Sequence, residues 1–307
     1  STELQILTGN AELRQENTFF SGDSIVLNKR DNVLEVFGNI HINDSDSINV
    51  DSQYLIYYGN TRIAYLKKNV KLTDGKATLT TDELEYNLNT KRGNYKTGGK
   101  IVTSTTTLTS REGFYYADTK DAFFKRNVRL KDPEYTMTTD SLQYNVDMQL
   151  ATFIAPTTIN DGKSIIKTSD GYYDMKNAYA YFGRRPTIED STQYITADQI
   201  VFDKNTGLGR AQGNFVYIDT LQGITLHADN SDFNRDTKVV LATGRPLMII
   251  KQESDSIYVT GDSLYSGVRA DTIYAVDSTR MIPDSLNEQV VIQPPADTTK
   301  NPAPVAQ

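Results

Sequence analysis

Hydrophobic and polar residues alternate along most of this chain, as they do in β-strands that have one buried face. In the segment 82–86, for example, Leu84 and Tyr86 are separated by Glu85, so that both fall on the same face. No stretch repeats its apolar residues with the period of a helix. The pattern therefore predicts an all-β protein.

The alternating segments recur with a spacing of 29 residues, which is the signature of a repeat protein. An aromatic column comprises Tyr57, Tyr86, Tyr115, Tyr144, Tyr173 and Phe202. A column of small residues comprises Ala64, Gly93, Ala122, Ala151, Ala180 and Gly209. Two further columns are rich in Asp and Asn. The columns predict an array of about eight repeats between about residue 20 and about residue 270.

Each repeat contains two turn signals, such as Asn60-Thr61 and Asp74-Gly75. The two arms between them have about 14 residues each, whereas a usual strand has about 5–6. We therefore expect each arm to bend at a central pair that tolerates left-handed backbone. These pairs are Gly38-Asn39, Lys68-Asn69, Gly98-Gly99, Arg126-Asn127, Gly213-Asn214 and Gly244-Arg245. The result is an elongated antiparallel sheet of folded-over, V-shaped strands with apolar side chains in the crease.

The regularity of the pattern divides the chain into three parts. We expect residues 1–19 to form a lead-in and edge strand, residues 20–275 the repeat domain, and residues 276–307, rich in Pro, Asp and Thr, a disordered tail. The sequence as given begins at Ser1 without a signal peptide, so any exported precursor is expected to have lost it. The first and last strands of a stacked array carry unpaired backbone groups, which favours pairing with another chain.

Composition removes several classes of function. The 307 residues include no Cys and only two His, which excludes disulfide frameworks, thiolate nucleophiles and zinc fingers. A net charge of −7 argues against a general nucleic-acid binder. His41 and His227 fall at different points of the repeat, so no catalytic triad is expected. Because Asp is a common turn residue, the Asp columns call for no metal. We therefore expect no enzyme activity, cofactor or metal.

The repeats resemble the organic-solvent-tolerance (OstA)-like family of periplasmic proteins, with D-x-[LI]-x-[YF] opening a strand pair and G-N-[VIF] at its corner. The matching segments are Asp82-x-Leu84-x-Tyr86, Asp140-x-Leu142-x-Tyr144, Asp198-x-Ile200-x-Phe202, Gly38-Asn39-Ile40 and Gly213-Asn214-Phe215. The opening Asp is replaced by Gln53, Arg111 and Ser169, and the corner Asn by Pro156 and Arg185. The resemblance covers about residues 20–270. It implies a periplasmic β-jellyroll whose apolar groove carries the lipid A part of lipopolysaccharide toward the outer membrane, with copies or partner jellyrolls joined end to end.

Two sets of residues are candidates for lipid contacts. Inward-facing apolar residues could line the groove: Leu55, Tyr57, Leu84, Tyr86, Leu142, Tyr144, Tyr173, Ile200 and Phe202. Residue types alone favour a dry sandwich core for them, and the resemblance favours the groove. Basic residues near the corners could meet head-group phosphates, or could form a solvated edge that resists aggregation. These are Lys67, Lys68, Lys96, Lys125, Arg126, Arg184 and Arg185.

Three functions remain open from the sequence. The first is a lipid-binding transport bridge. The second is a parallel β-helix that binds or cleaves polysaccharide, and the third is a structural repeat protein without a ligand. Paired reversals in each repeat favour antiparallel strands and hence the first function over the second. Lipid that copurifies with the protein would separate the first function from the third.

Overall fold

The computed structural model of the chain describes residues 4–15, 18–44, 48–237 and 239–267. Contacts divide the chain into two units, residues 1–268 and 269–307, and the description that follows concerns the first. The predicted tail at 276–307 lies outside the described residues. Strands dominate the described part, which confirms the all-β prediction. Within it, no helix is long and apolar enough to cross a membrane.

Twenty-six strands follow one another along the described residues. The first six are continuous through the bend: β1 (Leu4–Gln15), β2 (Thr18–Asn28), β3 (Val33–Asp44), β4 (Ile48–Tyr58), β5 (Ile63–Thr73) and β6 (Thr78–Asn87). The next six are β7 (Arg92–Tyr95), β8 (Gly99–Val102), β9 (Thr107–Ser110), β10 (Glu112–Tyr116), β11 (Asp121–Lys131) and β12 (Thr136–Asn145). Eight short strands follow: β13 (Leu150–Phe153), β14 (Thr157–Asn160), β15 (Ile165–Thr168), β16 (Asp170–Asp174), β17 (Tyr179–Gly183), β18 (Thr187–Glu189), β19 (Gln193–Thr196) and β20 (Gln199–Asp203). The last six are β21 (Leu208–Asp219), β22 (Ile224–Asn234), β23 (Val239–Thr243), β24 (Leu247–Lys251), β25 (Ser256–Thr260) and β26 (Ser263–Ser266).

All described pairings between these strands are antiparallel, and each arm pairs with the next along the chain. The strands belong to a single hydrogen-bonded sheet. The predicted antiparallel, jellyroll-like sheet is therefore confirmed. The number of repeats stays a prediction.

Among the described residues, seven arms bend at a pair of residues that both have left-handed backbone, whereas arms such as β2 and β4 have no such pair and, at the predicted pair Gly98-Gly99, only Gly98 has a positive φ angle. Gly38 and Asn39 have φ angles of 67° and 43°, and the register between β2 and β3 shifts there. Lys68 and Asn69 have φ angles of 64° and 56°, and the register between β5 and β6 shifts there. Left-handed φ at both residues also marks the pairs Gly9-Asn10, Arg126-Asn127, Arg184-Arg185, Gly213-Asn214 and Gly244-Arg245. β1, which lies in the segment 1–19 predicted as a lead-in and edge strand, also bends at such a pair and pairs with β2.

The bends divide the sheet into two limbs. Limb A ends at turns such as 59–62, 117–120 and 204–207, and limb B ends at turns such as 74–77, 132–135 and 161–164. Asparagines link successive limb A turns: the side-chain amide of Asn89 donates to the carbonyl of Thr61, and that of Asn205 donates to the carbonyl of Asn177. This contact explains why Asn recurs at that position of the repeat.

The core lies between the limbs and forms two clusters. One extends from Ala11 to Leu84 and the other from Leu108 to Ala242, and each contains residues of both limbs. Tyr95 lies between the two clusters in the chain and is 4% exposed. Its hydroxyl lies 2.6 Å from the Oγ of Ser110. A Cβ at Gly113 would stand 2.3 Å from its ring, so glycine is required there to make room for Tyr95.

Candidate functional site

Aromatic and small residues alternate along the inward face of limb A. Tyr144 lies opposite Ala122 on one neighbouring strand and Ala151 on the other. A Cβ at Gly209 would stand 2.1 Å from the ring of Phe233, so the small residue leaves space for the ring. The row runs through Tyr57, Ala64, Tyr86, Gly93, Tyr115, Ala122, Tyr144, Ala151, Tyr173, Ala180, Phe202, Gly209 and Phe233. The aromatic and small columns of the sequence are therefore one continuous row, which we call the aromatic stripe.

A second inward row lies two residues closer to the bend and is closed to solvent. It contains four of the candidate groove residues, with exposed fractions of 1% for Leu55, 5% for Leu84, 1% for Leu142 and 0% for Ile200. Within the same row, the rings of Phe153 and Phe182 stack with centroids 6.1 Å apart. These residues already form a packed core.

The candidate residues of the aromatic stripe are only half-buried: Tyr57, Tyr86, Tyr144, Tyr173 and Phe202. Burial raises the pKa of Tyr144 and of Tyr173, which keeps both phenols neutral. The stripe therefore lies between the closed core near the bend and the ends of the limbs. Of the candidate groove residues, these present apolar surface closest to the opening between the limbs.

The two limbs meet at their ends in the second half of the described residues. The rings of Tyr135 on limb B and Tyr173 on limb A contact edge to face, with centroids 6.2 Å apart. Glu134 forms an ion pair with Lys204, and Asp161 forms one with Arg235 at 2.9 Å. In both ion pairs the carboxylate belongs to limb B and the cation to limb A. The opening between the limbs is therefore bridged here.

The structure places the basic candidates on the outside of the bends, away from the ends of the limbs. Four of them pair with carboxylates: Lys67 with Glu83 at 3.7 Å, Arg126 with Glu112 at 2.9 Å, Arg184 with Asp170 at 3.6 Å and Arg185 with Asp198 at 3.1 Å. Lys125 lies over the ring of Phe114, 5.8 Å from its centroid. Lys68 is exposed, and its backbone φ angle of 64° is left-handed.

Basic residues also stand at the limb A turns, which sequence reasoning missed. Arg62, Lys91 and Lys120 each occupy the left-handed position of their turn, with φ angles of 56°, 48° and 60°. Lys91 pairs with Asp118 at 2.8 Å, and this hydrogen bond raises the pKa of Lys91. The spacing of 29 residues between these three positions is the signal that identifies them.

Buried hydroxyl groups at the bends were also missed. The Oγ1 of Thr168 donates to the carbonyl of Asp170 at 2.7 Å, and the Oγ of Ser110 donates to that of Glu112 at 2.9 Å. Both side chains are 6% exposed. Each hydroxyl satisfies a backbone carbonyl where the strand bends, so its role is structural.

A concave surface with a volume of about 540 Å³ lies on limb A. Val201, Arg210, Asp232, Leu241 and Tyr265 line it and are consecutive cross-strand partners. Phe202, Gly209 and Phe233 of the aromatic stripe also belong to its lining, so this surface adjoins the stripe.

The sequence of the chain matches a known protein family. The family described as OstA-like protein matches residues 1–140 and 125–198. These matches begin before the bend in β1 and cover half of the chain or more. No curated protein matches the sequence.

Proposed function

The chain belongs to the OstA-like family, and we propose that it is a periplasmic bridge that carries lipopolysaccharide, holding the lipid A acyl chains between its limbs. The observation that supports this proposal is the continuous aromatic stripe on limb A. It recurs at the same position of successive strand pairs and stays partly accessible, whereas the row closer to the bend is closed. Such a surface suits a flexible apolar chain.

The hydrophobic effect sets what a carrier of acyl chains must provide. Each methylene left in water costs about 0.8 kcal/mol, so a chain of about twelve carbons costs roughly 10 kcal/mol when exposed. An apolar surface that stops partway along the route would impose much of this cost. Similar neighbouring sites, in contrast, let a chain move from one to the next without a deep energy minimum.

Aromatic residues suit the edge of such a route. Tyr144 and Tyr173 offer a ring to an acyl chain while their hydroxyl groups can remain near water. Accommodation of lipid requires the limbs to separate where Tyr135 contacts Tyr173. The proposal therefore includes a movement of the limbs, and it assigns no catalytic residue.

The antiparallel pairings exclude the parallel β-helix that the sequence left as an alternative. A structural repeat protein without a ligand remains the competing function. It predicts that no lipid copurifies and that inward positions behave like any other packed core.

Photo-crosslinking tests the proposal with a matched control. Tyr172 and Tyr173 are neighbours on β16, but Tyr173 belongs to the aromatic stripe and Tyr172 packs on the outer face against Tyr181, with centroids 5.7 Å apart. A benzophenone amino acid at 173 should label lipopolysaccharide, whereas the same group at 172 should not. A second pair, 144 and 143 on β12, repeats the comparison. Equal labelling at 172 and 173, or none at 173 and 144, contradicts the proposed function.

A further inference from the structure

The ends of the two limbs carry opposite charge. We call the turn residues of limb A rim A and those of limb B rim B. Basic residues predominate on the described part of rim A: Lys29, Arg30, Arg62, Lys91, Lys120, Lys176, Lys204 and Arg235, against Asp31, Asp118, Asp147 and Asp236. Acidic residues predominate on the described part of rim B: Asp74, Asp132, Glu134, Asp161, Asp190, Glu253 and Asp255, against Lys76 and Lys163. The opening between the limbs therefore has one basic side and one acidic side.

Two ion pairs connect the rims, and we call them the clasp. Lys204 pairs with Glu134, which is 70 residues away in the chain, and Arg235 pairs with Asp161, which is 74 residues away. Neighbouring strands in the sheet cannot account for contacts at these separations, so both pairs span the opening. The contact between Tyr135 and Tyr173 lies beside them.

Solvent reaches both pairs of the clasp. The side chains of Lys204 and Glu134 are 46% and 64% exposed, and those of Arg235 and Asp161 are 39% and 23% exposed. An exposed ion pair changes an equilibrium constant by no more than about fivefold. The clasp can therefore hold the rims together and still yield to a competing anion.

Asp161 has hydrogen-bond partners besides Arg235. Asp161 accepts hydrogen bonds from the backbone N–H groups of Lys163 and Ser164 at 3.0 Å and 2.6 Å, so its carboxylate keeps partners when Arg235 moves away. A free ammonium or guanidinium is in turn a strong donor to a phosphate, and the guanidinium can engage two oxygens at once.

We infer that Lys204 and Arg235 form a binding site for the anionic head group of an amphiphile whose chain lies between the limbs. The head group replaces Glu134 and Asp161 as their partner, and the rims separate in the same event. This inference rests on the proposed function, since it assumes that an apolar chain enters the groove. It assigns the head-group contact to rim A, whereas the sequence candidates lie on the bends.

Two single substitutions make the inference testable because they break the same ion pair from opposite sides. Glu134→Gln frees Lys204, and Lys204→Gln removes the cation. The probes are dodecyl phosphate and dodecyl maltoside, both below their critical micelle concentrations, with binding measured by calorimetry. For dodecyl phosphate, Glu134→Gln should tighten binding about threefold and Lys204→Gln should weaken it about threefold. For uncharged dodecyl maltoside, both variants should change affinity in the same direction by a similar factor.

A distance measurement examines the rims directly. Because the chain contains no cysteine, spin labels can be attached at Thr136→Cys and Thr206→Cys, which are exposed positions next to the clasp. Dodecyl phosphate should lengthen the distance between the labels. Lys204→Glu should lengthen it without ligand, and the charge swap Glu134→Lys with Lys204→Glu should restore it.

The outcomes separate this inference from the proposed function. If dodecyl phosphate and dodecyl maltoside both bind but the two glutamine variants shift dodecyl phosphate in the same direction, the head-group site is wrong and the groove stands. An unchanged label distance on addition of dodecyl phosphate contradicts the separation of the rims. If neither amphiphile binds, while lipopolysaccharide also fails to label position 173, both proposals fall.

Discussion

At the scale of single residues, the aromatic stripe depends on the difference in size between cross-strand neighbours. The ring of Tyr144 faces Ala122 and Ala151, and the ring of Tyr173 faces Ala151 and Ala180. Ala151 is completely buried between two rings. A larger side chain at such a position must push at least one ring out of the row, because a packed interior has little free volume.

We therefore predict that Ala151→Leu lowers the free energy of unfolding by about 1–3 kcal/mol through overpacking. The control is Thr152→Leu at the next position of β13, which faces Gln143 and Tyr172 on the outer side and should change stability by less than about 0.5 kcal/mol. Urea denaturation of both variants measures the difference. Equal losses would mean that the two faces of β13 are assigned the wrong way round.

Sequence reasoning identified the members of the stripe but not their contacts. The period of 29 residues places Tyr144 in one column and Ala151 in another. Tyr144 and Ala151 pair across the limb A turn between them. The pairing of Tyr144 with Ala122 depends on the register across the bend of β11, which shifts between Lys125 and Val128. Thr168 and Ser110 escaped notice because Ser and Thr are frequent throughout a β-rich chain, and only the structure shows which hydroxyl groups are buried.

At the scale of elements, the turns explain the Asp columns without a metal. Asp219, at the end of β21, is 3% exposed and accepts bonds from the backbone N–H groups of Leu221 and Gln222. Gln193 and Tyr217 donate to its other oxygen. Burial alone would raise the pKa of this carboxyl group, but the four hydrogen bonds outweigh burial and lower its pKa below the ordinary value of 3.8.

This shift predicts how acid acts on the turn. Because the pKa of Asp219 is lower in the folded state than in the unfolded state, its stabilising effect is fully present above pH 3.8 and is lost as the pH falls through the folded-state pKa. Wild type should therefore unfold at higher urea concentration than Asp219→Asn at pH about 6, and the gap should narrow toward pH about 3. A gap that is constant or widens on acidification contradicts the assignment.

Sequence reasoning predicted that the arms bend, but it did not identify every pair of left-handed residues at the bends. Gly and Asn at the centre of a long arm indicated left-handed backbone, and Gly38-Asn39 and Gly213-Asn214 adopt it. Arg184-Arg185 bends in the same way although neither residue favours this conformation. There the pairing of Arg185 with Asp198 and with the carbonyl of Asn214 holds the bend, a contact that only the folded sheet brings about.

At the scale of the whole described unit, large apolar side chains lie exposed on the strands at its two ends. On β1, Leu4, Ile6 and Leu7 are 47%, 59% and 48% exposed. At the other end, Tyr258 on β25 and Tyr265 on β26 are 67% and 69% exposed. Among the described strands, β1 pairs only with β2, and β25 only with β24. Open edges of this kind favour addition of a strand from another molecule.

The two ends differ in sequence, so self-association through them joins one end of a molecule to the opposite end of the next, which is a heterologous contact. We predict that the chain associates with increasing concentration. Ile6→Lys and Tyr258→Lys should each weaken association while leaving the fold intact, because a charge on an edge strand opposes pairing. Sedimentation velocity across a wide concentration range measures this.

Mixing the two variants gives the sharpest form of the prediction. Ile6→Lys keeps an intact end at β25, and Tyr258→Lys keeps an intact end at β1, so a mixture can form one good junction and no second one. The mixture should therefore reach dimers at concentrations where each variant alone stays monomeric, and it should not grow further. A different result would contradict this contact: Ile6→Lys alone abolishes association, Tyr258→Lys has no effect, and mixing the variants restores nothing. In that case the contact joins two copies of β1, and a chain of bridging molecules could not form through it.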